Sequence, residues 1–327
     1  MRALVVERLA PDYGGCVLKD VPTPAPGPGE VRVHIRAAAV NFPDLLMTRG
    51  EYQHKPPLPF IPGLELAGDI DAVGEGSEGW RVGDAVVGGS KTGGFAQFAV
   101  MSASQLKSKP TRLSYSQAAG CGAAYLTAYV ALVRRARVQP GEWVLVHGAS
   151  GGVGLACVDL ARLLGCRVIA ASASDAKLEI VKTLYAPDAT VNVTGGFREA
   201  VKAITGGRGA DVIYDPVGGD VFDESVRCIA FDGRLLVVGF TSGRIPSISV
   251  NMPLIKGFSV MGVRAGEYGR QFPERGVENR DAIWALAEEG RIRPRVHAEF
   301  PLSDWRAAFD LLADREVVGK AVIRPDL

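Results

Sequence analysis

One glycine-rich segment near the middle of the chain constrains the fold more than any other. Val144–His147 is a short apolar run typical of a buried strand, and residues 148–154 then read Gly-Ala-Ser-Gly-Gly-Val-Gly. Apolar residues follow at helical spacing, and a second apolar run, Val168–Ala171, resumes a strand. The segment therefore predicts a strand, a tight glycine turn, a helix and a second strand, which is the order used by dinucleotide-binding folds.

The residues of this turn suit a pyrophosphate group. Gly151 removes a side chain where the backbone has to approach the ligand, and Gly154 allows the helix to pack closely on the sheet. The start of the helix offers unpaired N–H groups and the positive end of its dipole. The predicted phosphate contacts are Ser150, Gly151, Gly152, Val153 and Gly154. The alternative is a glycine-rich turn in an α/β protein that holds no ligand.

The end of the second strand distinguishes NADPH from NADH. An NAD site usually places a carboxylate there for the ribose 2′-hydroxyl, whereas this chain has Ser172, followed by Ser174 and Lys177. Hydroxyl and ammonium groups donate hydrogen bonds to a 2′-phosphate, so the pattern favours NADPH. Asp175 lies close enough in sequence to leave NADH open, and Lys177 has the alternative role of a solvated helix residue.

Composition limits the class of protein and the partners expected. The chain has 327 residues, 47% of them hydrophobic and 22% charged, which suits two soluble domains. Because the net charge is only +1, we expect neither nucleic acid nor a membrane as the main partner. Its five cysteines form no Cys-x-x-Cys pair, so we expect reduced thiols in a cytoplasmic protein. The most membrane-like segment, Ala118–Val133, is too short to cross a bilayer.

The first hundred residues differ from the middle of the chain in their sequence pattern. Crowded turn residues and the alternating segment Val31–Arg36 predict a β barrel or sandwich in the first hundred residues. From about Ser116, alternating strands and helices predict a parallel sheet. The predicted strands are Ala189–Val193, Asp211–Tyr214, Arg234–Val238 and Lys320–Arg324, and the predicted helices are Phe197–Ile204, Val221–Ile229 and Asp304–Asp314.

Five separated motifs occur in one order along the chain. They are the segments Pro24–Asp44, Pro59–Gly68 and Arg81–Gly88, the glycine turn, and the Gly-Lys-Ala-Val-Ile-Arg-Pro tail at Gly319–Pro325. Together they resemble the zinc-free quinone oxidoreductase branch of the medium-chain dehydrogenase/reductase superfamily. The resemblance implies an α/β fold in which residues 1–117 and 260–327 form a GroES-like β barrel and residues 118–259 a Rossmann doubly wound parallel sheet. It also implies an active site in the cleft between them, and a homodimer.

The resemblance also bears on metal binding. Zinc-dependent relatives carry cysteine where this chain has Asn41, and histidine where it has Leu64 in Gly63-Leu64-Glu65. Neither side chain replaces those ligands, so we expect no catalytic zinc. Without a Lewis acid to stabilise an alkoxide, alcohol oxidation is disfavoured. The chemistry then favoured is hydride transfer from NADPH to an acceptor that is already electron-poor.

The same resemblance suggests which residues carry the reaction. Asn41 is the first candidate donor to the acceptor, with a turn or helix cap as its alternative. Tyr52 is a candidate acid or substrate-positioning residue, with packing as its alternative. Arg264 is a candidate anion contact, with an interdomain ion pair as its alternative. For the cofactor, the resemblance adds Gly239 and Phe240 at the nicotinamide, and Arg315 at the adenosine phosphate.

The resulting hypothesis is an NADPH-dependent, zinc-independent oxidoreductase that reduces a quinone or an α,β-unsaturated carbonyl compound. One alternative is an enoyl- or acrylyl-thioester reductase. Another is a non-catalytic NADPH-binding protein with a structural or RNA-binding role. The near-neutral charge disfavours nucleic acid as a partner.

Overall fold

The computed structural model describes residues 1–327 and separates them into two units. The first unit comprises residues 1–123, 287–289 and 294–327, and the second comprises residues 124–286 and 290–293. None of the helices is both long and apolar enough to cross a bilayer.

Residues before the glycine turn build most of the first unit. Its strands are β1 (Arg2–Val6), β2 (Cys16–Asp20), β3 (Glu30–Ala39), β4 (Glu65–Val73), β5 (Ala85–Gly89), β6 (Phe98–Ser102) and β7 (Lys107–Ser108), and its helices are α1 (Phe42–Arg49) and α2 (Tyr115–Ala119). Helix α3 (Gly122–Tyr129) follows and continues as a π-helical segment over Val130–Ala136.

The second unit alternates strands and helices. Its strands are β8 (Trp143–Val146), β9 (Arg167–Ser172), β10 (Ala189–Asn192), β11 (Ala210–Asp215), β12 (Ile229–Val237) and β13 (Ser259–Gly262). Its helices after α3 are α4 (Gly152–Leu163), α5 (Asp175–Tyr185), α6 (Arg198–Ile204), α7 (Gly219–Ser225), α8 (Asn251–Lys256), α9 (Ala265–Gln271) and α10 (Pro273–Glu288).

The tail of the chain returns to the first unit. It forms β14 (Val296–Pro301), α11 (Trp305–Ala313) and β15 (Lys320–Arg324). Strand β15 pairs antiparallel with the end of β3, where Val322 lies opposite Ala39. The predicted tail strand therefore completes the sheet that the first hundred residues begin.

The long strand β3 organises the first unit. It pairs with β4 along its length, with β6 near its start and with β15 at its end, in a seven-stranded sheet ordered β14-β15-β3-β4-β5-β7 with β6 beside β3. Every second residue of its first half is buried, among them Val33 and Ile35. These side chains join a core with Phe95 and Phe309. The sheet holds the end of β3, and so Asn41 just beyond it, in a fixed position.

The second unit is a parallel sheet with strand order β10-β9-β8-β11-β12-β13. This order reverses direction between β8 and β11, and ligands of such sheets bind beyond the carboxyl ends of the strands at that reversal. The glycine turn after β8 lies there, as does the loop that follows Asp215 at the end of β11.

Two predicted boundaries differ from the structure. The helix predicted over Val221–Ile229 ends at Ser225, because Ile229 already pairs with Ala210 as the start of β12. The unit boundary predicted at residue 260 falls within β13. Since β13 pairs with β12, residues up to 286 remain with the parallel sheet.

Candidate active site

The glycine turn after β8 approaches its own helix very closely. Gly148 has a left-handed φ of +56°, and Gly151 is the N-cap residue of the twelve-residue helix α4. A β-carbon added at Gly154 would lie 2.1 Å from the Gly148 carbonyl oxygen, so only glycine fits there. The first amides of α4 have no carbonyl one turn earlier to bind, which leaves them available to an anionic group.

The loops after β11 and β12 lie beside this turn. A β-carbon on Gly148 would lie 3.5 Å from both Pro216 and Val217. Thr241, next to Phe240, donates its backbone N–H to the Pro216 carbonyl at 3.1 Å. The structure therefore brings Gly239 and Phe240 to the same edge of the sheet as residues 148–154.

Asp215 shapes the loop after β11. Its Oδ1 atom accepts the backbone N–H groups of Val217 at 2.8 Å and Gly218 at 2.9 Å. Burial raises the pKa of Asp215, while these two hydrogen bonds act in the opposite direction. The buried carboxyl group holds the loop in the shape that faces the glycine turn.

The end of β9 carries the groups predicted for a 2′-phosphate. Ser172 is buried, and Ser174 caps α5 by accepting the backbone N–H of Lys177 at 3.4 Å. Asp175 accepts the Asn192 side-chain amide at 2.7 Å. This bond holds the Asp175 carboxylate against β10, while the hydroxyl groups of Ser172 and Ser174 accept backbone N–H groups at the strand end.

In the first unit, Asn41 is partly buried and forms hydrogen bonds with two buried charged residues, Glu65 and Lys320. Its Nδ2 atom donates to Glu65 Oε1 at 3.0 Å and to the Ala39 carbonyl at 3.2 Å, and its Oδ1 atom accepts Lys320 Nζ at 2.6 Å. Lys320 also pairs with Glu65 Oε1 at 3.0 Å. Glu65 Oε2 accepts the backbone N–H of Ala123 at 2.8 Å, in the first turn of α3. Asn41 is also the N-cap residue of α1.

Asp44 binds the backbone next to the Asn41 network. It is fully buried, and it accepts the backbone N–H groups of Asn41 at 2.9 Å and Gly63 at 3.0 Å. Burial raises the pKa of Asp44 to about 7, although both hydrogen bonds favour the ionised form. Asp44 thus fixes the backbone on either side of the Asn41 network.

The remaining predicted residues occupy three separate places. Tyr52 packs against the cluster of Val6, Met47 and Phe60 in the first unit. Arg264 is the exposed N-cap residue of α9 in the second unit, 3.9 Å from Glu267 of the same helix. Arg315 follows α11 in the first unit with a φ of +60°.

Lys320 was not predicted to be a site residue. It was predicted only as the first residue of the tail strand, within the motif Gly319–Pro325. Lys320 lies 279 positions from Asn41 along the chain, so only the pairing of β15 with β3 brings the two together.

Comparisons with known proteins agree with this arrangement. Residues 27–111 match the family "Alcohol dehydrogenase GroES-like domain", and residues 152–279 match the family "Zinc-binding dehydrogenase". The chain is 39% identical over 301 residues to a quinone oxidoreductase-like protein 2 homolog of Nematostella vectensis, covering 91% of this chain and 82% of the relative. It belongs to the medium-chain dehydrogenase/reductase superfamily, in the quinone oxidoreductase branch.

Solved structures of the superfamily show the same fold, with a GroES-like N-terminal domain and a Rossmann domain. The Escherichia coli quinone oxidoreductase complexed with NADPH matches with a TM-score of 0.90 and 27% identity, covering 99% of this chain and 100% of that one. A mycobacterial protein complexed with NADPH matches with a TM-score of 0.91 and 30% identity, over 99% and 100% of the two chains.

The zinc named for the matching family does not fit the residues of this quinone oxidoreductase-like chain. Zinc sites use thiolate, imidazole and carboxylate ligands. Here Leu64 packs on an apolar cluster, and the carboxylate of Glu65 is already bound by an ammonium group and a backbone N–H. A dinucleotide does fit, because the first backbone amides of α4 have no partner within the helix and three of the four residues Gly151–Gly154 carry no side chain.

Proposed function

We propose that this protein is an NADPH-dependent, zinc-independent oxidoreductase that transfers hydride to a quinone or an α,β-unsaturated carbonyl compound. The observation that carries the proposal is the glycine turn at the reversal point of the parallel sheet, with two serines and a lysine at the neighbouring strand end. The NADPH complexes of the two superfamily members support the choice of cofactor.

The residues of the second unit would hold the cofactor. Backbone amides of Gly152, Val153 and Gly154 would bind the pyrophosphate, and Ser150 lies in the same turn. Ser172, Ser174 and Lys177 would bind the 2′-phosphate. Gly239 and Phe240 would contact the nicotinamide, and Arg315 would contact the adenosine phosphate.

Lys177→Ala is expected to weaken NADPH binding by about ten- to a hundredfold and to leave NADH binding nearly unchanged, because only NADPH carries the 2′-phosphate. Quenching of protein fluorescence during titration with each cofactor measures both affinities. Lys182→Ala, on the same helix but beyond its first turns, is the matched control and is expected to change neither. Equal losses for both cofactors in Lys177→Ala would contradict the phosphate contact.

When bound, the cofactor supplies a hydride, and a conjugated acceptor needs no metal to accept it. The protein then has to align the two reactants and stabilise charge on the acceptor oxygen. We assign these tasks to the Asn41 region and to Tyr52, whose ring is fixed by packing in the first unit. Arg264 is exposed, which suits an anionic group on the substrate.

The proposal is tested by following NADPH consumption with a quinone, an enone, an enal and an acrylyl thioester, each with and without a chelator. We expect turnover with the quinone or the conjugated carbonyl compounds, unaffected by the chelator. Turnover of the thioester alone would identify the thioester reductase. NADPH binding without turnover of any acceptor would indicate the non-catalytic alternative, and loss of turnover with chelator would contradict zinc independence.

We also propose that a second copy of the chain pairs along β13. This strand ends the parallel sheet with one unpaired edge. Near it, Phe231, Leu254 and Ile255 are more than two-thirds exposed, and a β-carbon on Gly257 would contact the Phe231 ring. Such an apolar surface beside an open edge favours association of identical copies. Light scattering is expected to give a dimer mass, and Ile255→Asp is expected to give the monomer.

A further inference from the structure

Lys320 has a buried ammonium group that forms hydrogen bonds with both side chains of the first-unit site. Only 9% of its side chain is exposed, and only 6% of that of Glu65. Its Nζ atom lies 2.6 Å from Asn41 Oδ1 and 3.0 Å from Glu65 Oε1. We propose that Lys320 is a positioning residue, which fixes the orientation of the Asn41 amide.

The tail strand delivers this lysine to the site. Gly319 has a φ of +93°, and a β-carbon there would lie 2.4 Å from the Arg295 carbonyl oxygen, so the chain turns sharply into β15. The Lys320 backbone N–H donates to the same carbonyl at 3.0 Å, and Ala321 accepts the backbone N–H of Val40 at 2.9 Å. Lys320 therefore starts β15 beside the point where β3 ends and Asn41 begins α1.

The three side chains leave the Asn41 amide one orientation. Lys320 only donates hydrogen bonds, and the ionised Glu65 only accepts them. The amide oxygen therefore has to face Lys320, and the amide nitrogen has to face Glu65 and the Ala39 carbonyl. In the reversed orientation the amide hydrogens would face the ammonium group and the oxygen would face the carboxylate. Both amide hydrogens of Asn41 are engaged in this arrangement, so a contact with an acceptor oxygen has to share or replace one of these two bonds.

The positive charge of Lys320 and the negative charge of Glu65 offset each other. The second carboxylate oxygen of Glu65 accepts the Ala123 N–H at the start of α3, where the helix dipole also favours a negative charge. The ammonium group thus contacts the partly buried Asn41 and the buried Glu65. Resting on the proposed function, Lys320 acts on the reaction through the fixed orientation of the Asn41 amide, because its own charge is offset by that of Glu65.

The test separates positioning from simple stability. Lys320→Met leaves Glu65 buried and unpaired, so this variant is expected to be unstable. The double variant Lys320→Met, Glu65→Gln removes both charges together and is expected to melt near the wild-type temperature. Lys320→Arg keeps the charge, and Lys109→Met is the matched control, because Lys109 Nζ bonds two carbonyls of the first unit away from Asn41.

Two readouts are compared in these variants. The first is the pair of Asn41 side-chain amide hydrogens in a ¹H–¹⁵N spectrum, assigned from their loss in Asn41→Asp. The second is kcat and KM for NADPH oxidation with the best acceptor of the screen. The double variant is compared with Glu65→Gln alone, because Glu65 is itself a partner of the Asn41 amide. Relative to that single variant, we expect the double variant to show faster solvent exchange of the Asn41 hydrogens and a kcat lower by about ten- to a hundredfold at similar KM. We expect Lys320→Arg to recover part of both readouts.

Equal exchange and equal kcat in the double variant and in Glu65→Gln would overturn the proposal, since Lys320 would then serve stability alone. A loss of the same size in Lys109→Met would overturn it as well. If the wild-type protein turns over no acceptor, the proposed function fails, and the amide exchange of Asn41 still decides whether Lys320 positions it.

Discussion

Gly154→Ala is expected to weaken NADPH binding by about a hundredfold or more, which corresponds to ~2.7 kcal/mol. The added β-carbon would lie 2.1 Å from the Gly148 carbonyl oxygen and 3.0 Å from Ala149 Cα. Both are backbone atoms, so neither can rotate away as a side chain would. Helix α4 would have to move off the turn, and the amides at its start would leave the pyrophosphate. Isothermal titration with NADPH measures the loss.

The same substitution is expected to lower the free energy of unfolding by about 1–3 kcal/mol, the usual cost of overpacking a close contact. Gly262→Ala is the matched control, because a β-carbon there meets nothing within 4 Å in the same parallel sheet. We expect the control to bind NADPH as the wild type does. Unchanged NADPH affinity in Gly154→Ala would show that the cofactor does not use this turn.

His147 is expected to make the protein lose stability in acid. It is 1% exposed, with Nε2 2.9 Å from the Ser225 hydroxyl and Nδ1 without a partner. Burial lowers the pKa of His147 from 6.5 to about 3. Below pH 6.5 the unfolded chain therefore binds a proton that the folded chain refuses, and stability falls as the pH decreases toward 3. The loss from this residue is about 1.4 kcal/mol per pH unit, or about 2 kcal/mol at pH 5.

Urea unfolding of the wild type and His147→Gln at pH 7.5 and pH 5 measures this effect. The glutamine retains a donor for Ser225 and does not titrate, so we expect the variant to lose about 2 kcal/mol less than the wild type on acidification. His54→Gln is the control, since His54 lies in a loop of the first unit and is only half-buried. Equal losses in the wild type and His147→Gln would contradict a buried neutral imidazole.

The comparison between variants is needed because Asp44 acts in the opposite direction. Burial raises the pKa of this carboxyl group from 3.8 to about 7. The folded chain therefore holds a proton that the unfolded chain releases between pH 3.8 and 7, which adds stability as the pH falls through that range. The overall acid slope combines both residues, whereas the difference between the wild type and His147→Gln isolates the imidazole.

The parts of the structure that follow local patterns were predicted from the sequence. The strand, turn and helix around Gly151 were placed within one or two residues, because glycine geometry and apolar periodicity act over short distances. The tail strand Lys320–Arg324 was predicted with its observed bounds. The helix predicted over Val221–Ile229 ran too long, because apolar residues near Ile229 suit a buried strand as well as a helix.

The contacts of single side chains were harder to predict from the sequence. His147 ends the apolar run that was predicted as a buried strand, and its ring contacts the Ser225 hydroxyl at 2.9 Å and the ring of Phe197, 4.8 Å away between centroids. Both partners lie on other elements of the second unit, so no local pattern around His147 predicts these contacts.

Local sequence patterns were enough to predict that the second unit is a parallel sheet with a glycine turn after its first strand, because those features depend on neighbouring residues. The way in which Asn41 is held depends instead on contacts between distant parts of the chain. Its partners Glu65 and Lys320 lie 24 and 279 positions away along the chain. Strand pairing of β3 with β4 and β15 brings the three side chains together, and their charges then fix the orientation of the amide.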